Sequence, residues 1–120
     1  MKDPLVMGSN EVTIELSGLL GRKLVAYIAS VNTVAIVRTL ENATSYSNGE
    51  VAYRLRVALR YARLLTESEG KHIAQTWFQG LKHDLPGEIS PANWLRNGPV
   101  EKLEYELAGT YLSYITGSYA

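Results

Sequence analysis

Within Ala29–Thr44, ASVNTVAIVRTLENAT, the residues Asn32, Thr33, Val34, Val37, Arg38 and Glu41 occupy positions that could meet the edges of base pairs. Arg donates a bidentate pair of hydrogen bonds to guanine, and Val packs on a thymine methyl, so this is the chemistry of direct readout in a major groove. Phosphates would be held around it by Arg22, Lys23, Thr39 and Asn42, and by Ser45 or Tyr46 beyond the segment. The same sixteen residues also suit an ordinary buried helix. Both readings stay open on residue types alone.

Catalytic chemistry has fewer candidates. The two histidines, His72 and His83, are eleven apart, lack a His-x-x-x-His spacing and have no Cys partner, so they read as surface residues and not as metal ligands. With no cysteine in the chain, disulfides, thiolate metal sites and cysteine nucleophiles are excluded. Glu101, Glu104 and Glu106 open the last helix, where negative charge meets the positive end of the helix dipole, and do not form a paired-carboxylate site. Gly18, Gly21, Gly49 and Gly98 sit at turns and form no phosphate-cradling loop. The expectation is a protein that is not an enzyme and carries no cofactor or metal.

Charge favours the readout chemistry. The formal net charge is zero, but it is unevenly spread. Residues 1–19 carry −2. Residues 20–65 carry +5, from Arg22, Lys23, Arg38, Arg54, Arg56, Arg60 and Arg63 against Glu41 and Glu50. Residues 66–120 carry −3. A basic middle followed by an acidic end is expected where the middle faces phosphates.

The elements that must position these residues are helical, because apolar residues recur at helical spacing and alternating strand-like runs are scarce. At 120 residues, 46% hydrophobic and 20% charged, one compact domain with a real core is expected, all-α with six or seven helices. The first helix should span about Glu11–Leu20 with Asn10 as N-cap, burying Val12, Leu16, Leu19 and Leu20. The second should run from Arg22 to Ala29 over Leu24, Val25 and Ile28, break at Ser30-Val31-Asn32, and give way to a third from Thr33 to Asn42. A helix, a short break with a small corner residue and a second helix make a helix-turn-helix, whose second helix enters the groove.

Ser47 and Glu50 form a capping-box pattern that starts a fourth helix near Asn48, running to about Thr66. Its core face is Val51, Leu55, Ala58, Leu59, Ala62 and Leu65. Arg56, Arg60 and Arg63 share another arc, expected in water or against an anion. A fifth helix, about Lys71–Phe78, should bury Ile73, Ala74 and Trp77. Ser90 caps and Pro91 opens a sixth, PANWLRN, stopped by Gly98. The last, Val100 to about Thr116, buries Val100, Leu103, Leu107, Tyr114 and Ile115 on one side and gathers Tyr105, Ala108 and Leu112 on the other. A helix apolar on two faces is either fully buried or packed against a second chain. The expected partner or dimer interface comprises Trp77, Trp94, Tyr105, Ala108, Leu112 and Tyr119. The division is 1–66 for DNA and 67–120 for dimerisation or a partner.

The string TWFQGLKHDLPGEISPANWLRNGPVEKLEYEL resembles the C-terminal domain of the Xre/MbcA/ParS-like antitoxin family, in which W-h-x-x-x-N-x-x-L is followed by SP-h-x-h-h-x-x-G, h being apolar. Trp77, Phe78, Leu85, Ser90, Pro91, Trp94, Leu95 and Gly98 carry the match. In that family an Xre-like helix-turn-helix precedes this domain, and LVAYIASVNTVAIVRTLENA fills that slot, with Arg38 where a basic reading-helix residue is common. The resemblance implies a homodimer that binds double-stranded DNA and represses transcription. In true antitoxins it also implies neutralisation of a RES-type toxin through the C-terminal part, with control of the operon. Two departures weaken the toxin role: Lys82 or His83 stands where Asn is usual, and the tail TGSYA is short and uncharged. Similar stand-alone regulators of actinobacteria and their phages share the fold with no evident toxin partner.

With no apolar run near ~18 residues and no signal pattern in MKDPLVMGSN, a soluble cytoplasmic chain is expected, on the nucleoid when DNA is bound, with no membrane partner.

Overall fold

The computed structural model describes residues 1–31, 34–42 and 49–117, with the side chains of 37, 38 and 40–42 alone within 34–42. Among the described residues the chain is entirely helical: α1 (Ser9–Leu20), α2 (Arg22–Ile28), α3 (Val34–Asn42), α4 (Gly49–Glu69), α5 (Lys71–Gln79), α6 (Pro91–Asn97) and α7 (Leu103–Thr116), with 3-10 turns at Pro4–Val6 and Val100–Lys102. Helix α4 runs through the middle. Its inner face, Leu55, Ala58, Leu59, Ala62 and Leu65, is buried.

Packed on that face are Val12 and Leu16 of α1, Ala74 and Phe78 of α5, Leu95 of α6, and Leu103 and Leu107 of α7, all in one continuous core with Val25, Ile28 and Val37 of α2 and α3. The two expected parts therefore share a single apolar interior. A boundary after Thr66 falls inside α4, which continues to Glu69.

Local signals explain most helix ends. Helix α1 starts at Ser9 with Gly8 as N-cap, not at Glu11 with Asn10, because the Glu11 carboxylate turns back to accept the Gly8 N–H at 3.0 Å. That bond, followed by the pairing with Lys2, holds the Glu11 carboxyl below its usual range. Helices α1 and α2 meet at Gly21, whose φ of 88° belongs to the region that side-chain-bearing residues avoid. The Ser90 hydroxyl accepts the Asn93 N–H at 3.1 Å and Pro91 takes the first turn, so α6 forms as its sequence dictates. A methyl group on Gly98 would stand 2.6 Å from the Trp94 carbonyl oxygen and 2.8 Å from its ring, which explains a glycine at that end.

Two expected core positions lie outside: Ile73 and Ile115 are exposed. Helix α5 buries only the stripe of Ala74, Trp77 and Phe78, and α7 that of Leu103, Leu107 and Thr110. Polar ties lock the halves together. The buried guanidinium of Arg54 donates to the Leu95 carbonyl at 2.8 Å and to Glu50 at 2.7 Å. The Trp94 indole N–H donates to the Leu103 carbonyl at 2.9 Å, and Gln75 to that of Leu19 at 3.0 Å.

Candidate nucleic-acid interface

Helix α2 ends in a closed turn. Ser30 has φ 59°, a left-handed conformation usually left to glycine. Its N–H donates to the Tyr27 carbonyl at 3.1 Å, and the Val31 N–H reaches back to the Ala26 carbonyl at 3.0 Å. This pair of bonds is the Schellman arrangement, which satisfies two of the carbonyls left over at a helix end. Ala29, Ala26 and Ile28 are buried beneath it, and the chain leaves toward α3.

On α3 the structure separates the expected reading residues. Val37 is 0% exposed and belongs to the core, so it does not face a groove. Its burial holds the helix down, turning Arg38 and Asn42 outward. Glu41 is also corrected: with 11% of its side chain exposed, it accepts two hydrogen bonds from Arg22, both 3.0 Å long. Arg22 thus engages α3 while its side chain stays 43% exposed. The contact with Arg22 foremost, opposed by burial, holds the Glu41 carboxyl below its usual range, and Glu41 in turn raises Arg22. Asn42 donates to the Arg38 carbonyl at 2.8 Å, and Lys23 is exposed on α2. Among the described residues, the exposed members of the set are Arg22, Lys23, Arg38 and Asn42, with the Arg22 guanidinium held by Glu41. Asn32, Thr33, Ser45 and Tyr46, the side chains of Val34 and Thr39, and the Ser47 cap of α4 lie outside the described residues.

The arginine arc of α4 is taken up within the chain: Arg60 and Arg63 meet carboxylates, the anionic surroundings expected of them, and Arg56 meets backbone carbonyls. Arg56 donates to the carbonyls of Pro4 at 3.1 Å and Met7 at 3.0 Å. Arg60 pairs with Glu104 at the start of α7 and lies 3.8 Å from Asp3. Arg63 donates to Glu15 at 2.7 Å and to the Lys2 carbonyl. These three side chains strap residues 2–7 across α4. The helical wheel put them on one arc, but only the fold supplies their partners.

The expected interface set divides as well. Trp77 is buried as expected of α5, 3% exposed, and Trp94 is corrected from interface to core at 4%, so neither ring is presented to a partner. Trp77 meets Phe78, Tyr111 and Tyr114 edge-on, with ring centroids 5.2 to 6.5 Å apart. The Lys82 ammonium lies 5.4 Å from the Trp77 ring, and its burial pushes the pKa down, partly offset by Asp84. Tyr105 and Leu112 project from α7, 80% and 55% exposed, while Ala108 packs partly against the core. They border an open groove of about 470 Å³, shared with Asp84, Glu106, Gly109 and Ser113. Tyr119 lies outside the described residues.

His83 is exposed and pairs with Glu88 at 2.9 Å. Among the described residues, no group of three or more His, Asp or Glu side chains could hold a metal ion, and no helix is long and apolar enough to cross a membrane.

No protein-family profile, no curated protein and no solved structure matches the chain. The motif residues of the second half serve its packing. Of these, Trp77, Phe78, Leu85, Pro91, Trp94 and Leu95 are buried, Ser90 caps a helix and Gly98 meets Trp94. They are the residues that build the C-terminal half, and they carry information about its packing more than about a partner.

Proposed function

We propose that the chain is a sequence-specific DNA-binding regulator of transcription that acts as a homodimer, with α2 and α3 as its helix-turn-helix. The observation that carries this reading is the closed turn at Ser30 joined to an α3 whose Val37 is buried and whose Arg38 points outward. A helix held by its inner face and bearing an arginine on its outer face has the form of a reading helix. In this reading Arg38 contacts a base edge, while Lys23 and Asn42 hold phosphates. The Arg22–Glu41 pair removes one cation from each subunit, so tight binding needs a second copy, presented across the Tyr105 and Leu112 face of α7. The role is cytoplasmic, on the nucleoid when DNA is bound.

Fluorescence anisotropy with duplexes selected from a random-sequence pool tests it. Affinity should fall roughly tenfold per doubling of salt if about four phosphates are contacted. Arg38→Ala should cost about 1–3 kcal/mol and relax preference at one base pair. Unchanged affinity in that variant would sink the assignment.

The exposed apolar face of α7 and its groove also favour a second reading, an antitoxin that seats a RES-type toxin there. It predicts a toxin gene beside this one and loss of neutralisation when the residues after Tyr111 are removed.

A further inference from the structure

The corner between α2 and α3 is held by a residue from the far half of the chain. The Arg96 guanidinium donates from Nη1 to the Tyr27 carbonyl at 2.9 Å and lies 4.7 Å from the centroid of the Tyr27 ring. That same carbonyl accepts the Ser30 N–H at 3.1 Å in the turn that closes α2. A carbonyl oxygen has two lone pairs, and here both the turn and the arginine use it.

We propose that Arg96 is a positioning residue for the helix-turn-helix: it caps the C-terminus of α2 and so fixes the direction in which α3 departs. Three features make the short second helix depend on it. Helix α2 has seven residues, too few to be stable alone. Its last turn contains no basic residue of its own to meet the negative end of the helix dipole. And Ser30, as a residue with a Cβ in a left-handed conformation, holds the turn less readily than glycine would. The guanidinium supplies the missing charge and clamps Tyr27 by both its ring and its backbone.

Arg96 itself is fixed. It sits in the last turn of α6, which is anchored by the buried Trp94 and Leu95, by Arg54 on the Leu95 carbonyl, and by the Trp94 N–H on Leu103 at the start of α7. A shift of α6 or α7 on association with another chain moves Arg96 against Tyr27. The C-terminal half thus has a mechanical hold on the reading helix. The effect on DNA rests on the function proposed above; the clamp does not.

Amide hydrogen exchange by NMR on the full chain separates the two. In Arg96→Ala, protection at Ser30 and Val31 should fall roughly three- to tenfold, while that at Gly70 and Gly80, whose N–H groups bond within α4 and α5, changes less than about twofold. Arg96→Lys, which keeps the charge but not the planar stack, should recover part of the protection. Unchanged exchange at Ser30 and Val31, or an equal loss at all four amides, overturns the proposal. On a duplex selected by the wild-type chain from a random-sequence pool, Arg96→Ala should bind about three- to tenfold more weakly with the same salt dependence. A salt slope lower by about one identifies Arg96 as a phosphate contact and also overturns it. If the wild-type chain selects no duplex, the DNA-binding reading fails, and the exchange data alone decide the clamp.

Discussion

The guanidinium of Arg22 grips the carboxylate of Glu41 through two hydrogen bonds of 3.0 Å, joining the first turn of α2 to the end of α3. The contact ties the two helices at the start of α2, whereas Arg96 acts at its end. It also neutralises a cation on a surface proposed to face phosphates. Glu41→Gln should therefore release Arg22 toward DNA: at low salt, affinity for unselected duplex rises several-fold, and the salt slope steepens by about one. Anisotropy titrations over a salt series measure both. A slope equal to that of the wild type means that Arg22 does not look toward the duplex.

Ser30 stands where the turn calls for glycine. An L residue with φ 59° carries a Cβ that crowds the following carbonyl, so Ser30→Gly should relieve strain at the turn. Part of that gain is offset by the greater freedom of glycine in the unfolded chain. A net stabilisation of about 0.5–1 kcal/mol is expected, visible as a rise of a few degrees in the thermal midpoint. Ser30→Val, β-branched at the same φ, should instead destabilise by about 1–2 kcal/mol.

What the sequence disclosed follows the range of the forces involved. Helix α6 was legible to the residue because Ser90, Pro91 and Gly98 act through bonds within one or two turns of themselves. Helix α4 was legible in its core face for the same reason, since Leu55, Ala58, Leu59, Ala62 and Leu65 repeat at the helical period. The arginine arc was legible as an arc and not as a strap, because periodicity says which residues share a side but not what lies across from them. Pro4, Met7 and Glu15 come to those arginines from about fifty residues away. The same limit makes interface residues of the two tryptophans: periodicity puts Trp77 on the buried stripe of α5, but Tyr111 and Tyr114 against it, and Leu103 against Trp94, come near only through tertiary packing. Glu41 reads as a groove residue from its position on α3, because its partner nineteen residues earlier has no local signature.

The Arg63–Glu15 contact makes part of the fold sensitive to acid. The hydrogen bond from Arg63 is the main cause that holds the Glu15 carboxyl below its usual range, burial acting against it. On lowering the pH, the unfolded chain takes up this proton first, near pH ~4.3, while the folded chain resists. Stability from the pair is thus complete above that pH and is lost as the pH falls through the folded-state value. With about a third of the Glu15 side chain exposed, 34%, solvent screening limits the effect to the order of 1 kcal/mol. Urea unfolding at pH 7 and near pH 3 should show a smaller loss for Glu15→Gln than for the wild type. Equal losses would mean that the pair contributes nothing to the acid sensitivity.

Leu112 tests how the second copy is presented. It is 55% exposed on α7, on the face that carries Tyr105 and borders the open groove, and so far as the single chain is concerned its side chain could be charged at little cost. Leu112→Asp should change the thermal midpoint by no more than the equivalent of about 0.5 kcal/mol. If α7 forms the interface, the buried aspartate leaves a charge unpaired across the two-fold axis, and association weakens by several kcal/mol. Light scattering on the purified variant should then report a monomer where the wild type is a dimer. DNA affinity should fall with it, because each subunit alone offers few phosphate contacts. A variant that stays dimeric would move the interface away from α7, and a wild type already monomeric would leave the exposed Tyr105 and Leu112 to a different chain.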